Sequence, residues 1–143
     1  MLKIITDVMD PLLDFIRDDP VRPEIPIEFR VAQNRFVAAH INDNIEAMVC
    51  VSLQREIPAT VSELGDTDLA PTCAVFYTIW SYQTGAATNL LLDILEEIRL
   101  RYPTITRFVT LSPKTKVAHR FHTRNGAEIY RENDDTINYE YYV

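Results

Sequence analysis

Apolar positions along the 143-residue chain change their period in a way that sets out most of its elements. Leu12, Leu13, Phe15 and Ile16 form a stripe behind Asp10-Pro11, an N-cap followed by proline at the first helical position, and predict a short helix ending before Asp18-Asp19-Pro20. Pro20, Pro23 and Pro26 then make the chain extended or turn-rich. Two β-rich runs, Phe36 to Ile41 and Ile45 to Leu53, flank Asn42-Asp43-Asn44, whose side chains tolerate left-handed backbone, so a hairpin is expected. Arg55 to Thr72 carries Pro58, Gly65, Pro71 and four acids, and reads as a partly helical excursion. Cys73 to Tyr82 is almost wholly apolar, aromatic or β-branched, as a central strand buried on both faces would be.

The period then switches. Ala87, Leu91, Ile94, Leu95 and Ile98 recur at three- and four-residue spacing and predict a helix from about Thr84 to Arg101, stopped by Tyr102-Pro103. Ile105 to Ser112 reads as a strand and Lys116 to Asn125 as a helix ended by Gly126. Ile129 to Arg131 and Ile137 to Val143 read as a closing hairpin around Glu132 to Asp135. The order is that of an α/β (α+β) domain, and residues 1–143 are read as one unit.

With 47% hydrophobic and 24% charged residues and no low-complexity run, the composition is that of a compact globular domain rather than a disordered chain. No stretch approaches the roughly 20 apolar residues of a membrane span, and the start lacks the apolar core of a signal peptide, so a cytoplasmic protein with no membrane partner is expected. Cys50 and Cys73 lie in apolar runs without CxxC spacing and are expected as buried free thiols, with no metal site. A net charge of -7 argues against nonspecific nucleic-acid binding, but the charge is segregated: Arg99 to Arg131 holds eight basic residues and one acid.

Segregation matters because of what lies beside it. A helix begins with unsatisfied N–H groups and partial positive charge, and its first turn usually carries Asp or Glu. Between Tyr82 and Leu92 there is no charged residue, although the chain has 21 acids, and Gly85, Ala86 and Ala87 leave room for a phosphate to reach the amides. Here Tyr82-Gln83-Thr84-Gly85-Ala86-Ala87-Thr88-Asn89-Leu90-Leu91 resembles the coenzyme A turn of the GNAT superfamily of N-acyltransferases, Gln/Arg-x-x-Gly-x-Gly/Ala, matching at Gly85, Ala87, Leu90 and Leu91. Tyr82 stands where that family has Arg or Gln, with Gln83 displaced by one. Downstream, Ala118-His119-Arg120-Phe121-His122-Thr123-Arg124-Asn125-Gly126-Ala127 resembles a second family segment, with His122 at its tyrosine position and Arg124 at its lysine position.

The resemblance implies a mostly antiparallel mixed sheet flanked by helices, with a splayed strand pair at a coenzyme cleft. It implies that Ile79, Trp80 and Ser81 pair with a pantetheine arm and that Gln83, Thr84, Gly85, Ala86, Ala87 and Thr88 form the pyrophosphate turn. Lys116 and Arg120, with Lys114 or Arg124, are expected near the adenosine phosphate, although a solvated basic face accounts for them equally well. His122 stands at the position of the acid that protonates the leaving thiolate, which a near-neutral imidazole could do; packing against Phe121 is the competing reading. Glu63, Asp66, Asp68 and Tyr77 are the candidate general bases. The implied activity is transfer of an acyl group from acetyl-CoA or another acyl-CoA to a small amine or protein amino group by direct attack. The alternatives are a GNAT-fold binding or interaction module without transfer, and a homodimer formed through Tyr139, Tyr141 and Tyr142.

Overall fold

A computed structural model gives the architecture and describes residues 1–65 and 70–143. Strand β1 (Leu2–Ile5) precedes a 3-10 helix (Pro11–Asp18) and a one-turn helix α1 (Ile27–Arg30). The hairpin β2 (Arg35–Asn42) and β3 (Asn44–Gln54) follows, then a short 3-10 turn (Val61–Glu63) and β4 (Cys73–Ser81). Helix α2 (Ala86–Arg101), β5 (Arg107–Thr110), β6 (Ser112–Pro113), α3 (Lys116–Arg124), β7 (Glu128–Glu132) and β8 (Thr136–Tyr141) complete the order. The strands form one sheet, β1-β2-β3-β4-β5-β8-β6 with β7 on β8, antiparallel except for the β4–β5 pair.

Two features depart from the sequence reading. The first helix is 3-10, started by Pro11 and by the Asp10 carboxylate, which accepts from the Leu12 amide at 2.9 Å. The run Ile105 to Ser112 is two strands, β5 paired with both β4 and β8 and β6 with β8 alone, the ladder broken at Leu111. The β2–β3 turn sits where expected, with Asp43 at φ 65°.

Sheet alternation sorts the core into two clusters. Phe36, Val49, Val51 and Phe76 pack under Leu90, Leu91, Ile94 and Ile98 of α2, with Phe121 of α3 against the same face. Val37, Met48, Cys50, Val75 and Tyr77 pack beneath Leu13, Ile16, Ile25 and Leu64 on the other. Both cysteines are buried and form no disulfide among the described residues, and burial pushes the Cys50 thiol up to about 12. Tyr139 and Tyr141 are also buried within the chain, which leaves Tyr142 alone of the three tyrosines exposed for a dimer contact.

Candidate active-site cleft

The cleft follows from how β4 is paired. On one side β4 runs against β3 along its whole length; on the other it meets β5 only from Cys73 to Phe76. Beyond the Leu111 amide, which donates to the Phe76 carbonyl at 3.1 Å, the chain turns away into β6 on β8. Tyr77 to Ser81 therefore have a free edge. The Tyr82 amide donates to Glu46 of the β3 side, so strand alternation turns the backbone groups of Ile79 and Ser81 toward the opening. A bulge at Tyr77, set between the pairs Cys50–Thr78 and Val51–Phe76, adds local twist.

A cavity of about 260 Å³ fills the splay. Its walls come from both faces of the sheet: Tyr77, Trp80 and Leu111 on one, Ala87, Leu91, Phe121 and His122 on the other, with Ser112 near the apex. No Asp, Glu, Lys or Arg lines it among the described residues.

Ile79, Trp80, Ser81 and Ala87 line this cleft. At its mouth Gly85 takes φ 81° as the N-cap of α2, with no side-chain cap and no acid in the first turn. A Cβ at Gly85 would meet nothing within 4 Å, so the space before the helix is open. The amides of Ala87 and Thr88 have no acceptor among the described residues, and Gln83 and Thr84 are exposed on the approach.

His122 lies on the cleft wall but is buried, and its environment changes its expected chemistry. Its Nδ1 is 2.6 Å from the Tyr141 hydroxyl, its ring stacks on Tyr139 with centroids 5.0 Å apart, and Phe121 and Tyr141 meet it edge-on. Burial among these rings pushes its pKa down to about 4, so at neutral pH it is an uncharged imidazole, not the near-neutral proton donor expected from the sequence. Ser112 donates to Thr110 Oγ1 at 2.8 Å, and Thr110 Oγ1 also accepts from the Tyr139 amide at 3.0 Å, which fixes the serine rotamer.

The other expected residues stand elsewhere. The Glu63 carboxylate accepts from the Ala59 and Thr60 amides in a capping box, which holds its pKa below the usual range, and it does not line the cleft. Tyr77 borders the cleft, but among the described residues its buried hydroxyl has no hydrogen-bond partner of ordinary geometry, and burial raises its pKa; it is unsuited to a base role. Asp66 and Asp68 lie outside the described residues. Lys116 and Arg120, with Lys114 and His119, line a second groove. The α3 residues facing the cleft are Val117, Ala118, Phe121 and His122, on the opposite side at 100° per residue. Arg124 is exposed over the Phe121 ring. His119 binds the Tyr139 hydroxyl through Nδ1, so each histidine of α3 has its own tyrosine.

A buried hub holds β4 from the opposite face. Asp19 accepts from Arg30 Nη1 at 2.6 Å, from Thr78 Oγ1 at 2.7 Å, and from the amides of Val21 and Arg22. Arg30 also donates to the carbonyls of Ile25 and Arg22. The hub thereby ties the bulged segment of β4 to Val21 on the cleft wall. Sequence reading missed Asp19, Thr110, Ser112 and Tyr141. Only the alternation of Tyr139 and Tyr141 signalled that both share one inward face.

No curated protein sequence matches the chain. Among solved structures, malonyl-CoA decarboxylase from Agrobacterium vitis is 24% identical over 85% of this chain and 35% of that one, with a TM-score of 0.69. The GNAT domain of S. lividans PAT is 15% identical over 99% and 89%, also at 0.69. A Bacillus subtilis acetyltransferase in complex with CoA is 10% identical over 99% and 97%, at 0.68. The fold is therefore the GNAT fold, as the two motifs implied. The chain spans 35% to 60% of the malonyl-CoA decarboxylases it matches. The family model of the malonyl-CoA decarboxylase C-terminal domain matches residues 29–138, and the chain belongs to that family.

Proposed function

We propose that the cleft binds an acyl-CoA and that the reaction carried out there is decarboxylation of a malonyl-type thioester. The uncharged lining carries this reading. A carboxylate drawn into a site without a cation loses hydration, whereas the leaving carbon dioxide is neutral, so the site disfavours the reactant more than the product. Breaking the bond between the α carbon and the carboxyl carbon leaves an enolate on the thioester oxygen. A neutral imidazole can stabilise such an oxygen by donating a hydrogen bond, and His122 is a buried neutral imidazole on the wall. The α carbon then takes a proton from solvent, giving the shortened acyl-CoA. Ala87 and Thr88 amides would hold the pyrophosphate, and Ile79 and Ser81 backbone groups the pantetheine amides.

The second reading is N-acyl transfer to a small amine or protein amino group, with acetyl-CoA or another acyl-CoA as donor. It is favoured by Asp18, whose carboxylate accepts from the Tyr82 hydroxyl at 2.8 Å beside Trp80 of the cleft wall and could dock an ammonium. Incubation with malonyl-CoA, and separately with acetyl-CoA and an amine panel, followed by chromatography of the CoA esters, tests both. Conversion of malonyl-CoA to acetyl-CoA without amine supports the first reading. Amine-dependent release of free CoA with no decarboxylation overturns it in favour of the second. Binding without any turnover leaves a coenzyme-binding module.

A further inference from the structure

Tyr141 stands behind His122 of the cleft wall and has no role in the reaction above. It is a buried residue of β8 whose hydroxyl has a single partner among the described residues, Nδ1 of His122 at 2.6 Å. A phenol carries one proton to donate. If Nδ1 were protonated, the phenol could only accept, and its own proton would point into the core without an acceptor, an arrangement that buried hydroxyls avoid. The satisfied arrangement has the phenol donating and Nδ1 accepting. The imidazole's one proton then sits on Nε2, which has no partner among the described residues. Tyr139 beneath the ring, with Phe121 and Tyr141 at its edges, leaves it no alternative orientation.

We propose that Tyr141 is a positioning residue, which locks His122 as the Nε2–H tautomer so that the ring presents a fixed neutral donor to the oxygen of a bound thioester. This rests on reading the cleft as a thioester site. The Tyr139–His119 pair repeats the contact one turn earlier on α3, outside the cleft. Long-range proton–nitrogen correlation spectra of the ¹⁵N-histidine-labelled whole chain at about pH 7 decide the tautomer without any variant. A pyrrole-type Nε2 and a pyridine-type Nδ1 for His122 are expected, and a protonated Nδ1 overturns the proposal. In Tyr141→Phe, which keeps the ring, a mixture of tautomers is expected. With malonyl-CoA, kcat should fall about tenfold while KM moves less than about twofold. Unchanged tautomer and kcat in that variant also overturn the proposal. Absence of turnover in the wild type, with Nε2 protonated, removes the decarboxylase reading and leaves the Tyr141–His122 arrangement standing.

Discussion

Acidification should unfold this protein partly through His122. A histidine ordinarily takes a proton near 6.5, and in the folded chain burial holds this one neutral down to about 4. Between those values the unfolded chain binds the proton and the folded chain does not, so stability falls as pH falls, by about 1.4 kcal/mol per pH unit. The loss attributable to His122 is about 2 kcal/mol from pH 7 to pH 5 and reaches about 3 kcal/mol near pH 4, where the folded state also protonates. Carboxylates titrate in the same region, so the measurement is a difference. Urea unfolding of the wild type and of His122→Asn, at several values between about pH 7 and pH 5, cancels every group common to both. His119 and the tyrosines Tyr139 and Tyr141 are present in both proteins. The wild-type advantage over the variant should shrink by about 2 kcal/mol across that range. A gap constant to within about 0.5 kcal/mol would refute a buried neutral His122 and, with it, its role as an uncharged donor.

The Asp19–Arg30 pair is fully buried, so Asp19→Ala should cost about 3–5 kcal/mol and lower the melting temperature by on the order of 10 °C, whereas Asp19→Leu with Arg30→Met should cost less; calorimetric melts of the wild type and the two variants check this. Gly85→Asp should weaken CoA binding at least about tenfold by placing an acid at the start of α2, and a calorimetric titration giving wild-type affinity would remove the anion from that turn. Lys116→Ala with Arg120→Ala should leave CoA affinity within about twofold, because both side chains line the groove on the far side of α3; a larger loss in the same titration would put the coenzyme there.

What the sequence made legible was governed by short-range physics. The run Cys73 to Tyr82 could only be a buried strand, and the 3.6-residue stripe of α2 located Leu91, Ile94, Leu95 and Ile98, four of the six residues that the helix buries, while Ala86 and Leu90 were not in it. Gly85 was identified by the charge missing after it, and its positive φ fits a residue that must turn a strand into a helix. The errors have equally specific causes. Glu63 was read as a candidate general base although Thr60-Val61-Ser62-Glu63 spells a capping box, a local signal that occupies its carboxylate. Lys116 and Arg120 were assigned by charge, when helical phase relative to Phe121 already separated them from the cleft. For His122 only the packing against Phe121 was legible as an alternative. Its lowered pKa comes from Tyr139, Tyr141 and Phe121 closing around it, a tertiary event that no spacing encodes.

The two ends of the cleft handle anions by opposite means, and that division is the strongest argument for a reaction rather than mere binding. At Gly85 the protein offers unpaired amides and open space, an arrangement that holds a phosphate without a single charged side chain. At the apex, between Phe76 and Leu111, it offers buried rings, a serine whose proton is already given to Thr110, and a neutral imidazole. A coenzyme ester bound as proposed, with its phosphates at the first end, would reach into the second, so that binding energy gained at the phosphates would oppose the cost of dehydrating its acyl end. A module selected for affinity alone would gain by placing one of the eight basic residues of Arg99 to Arg131 at that apex. Instead Arg107 is drawn outward, paired bidentately with Glu140 at 2.8 Å, and Lys116 and Arg120 face away on α3. Under the proposed decarboxylation, cations kept out of reach of the acyl group would lower affinity for a carboxylate and raise the energy of its bound state, as loss of carbon dioxide would require.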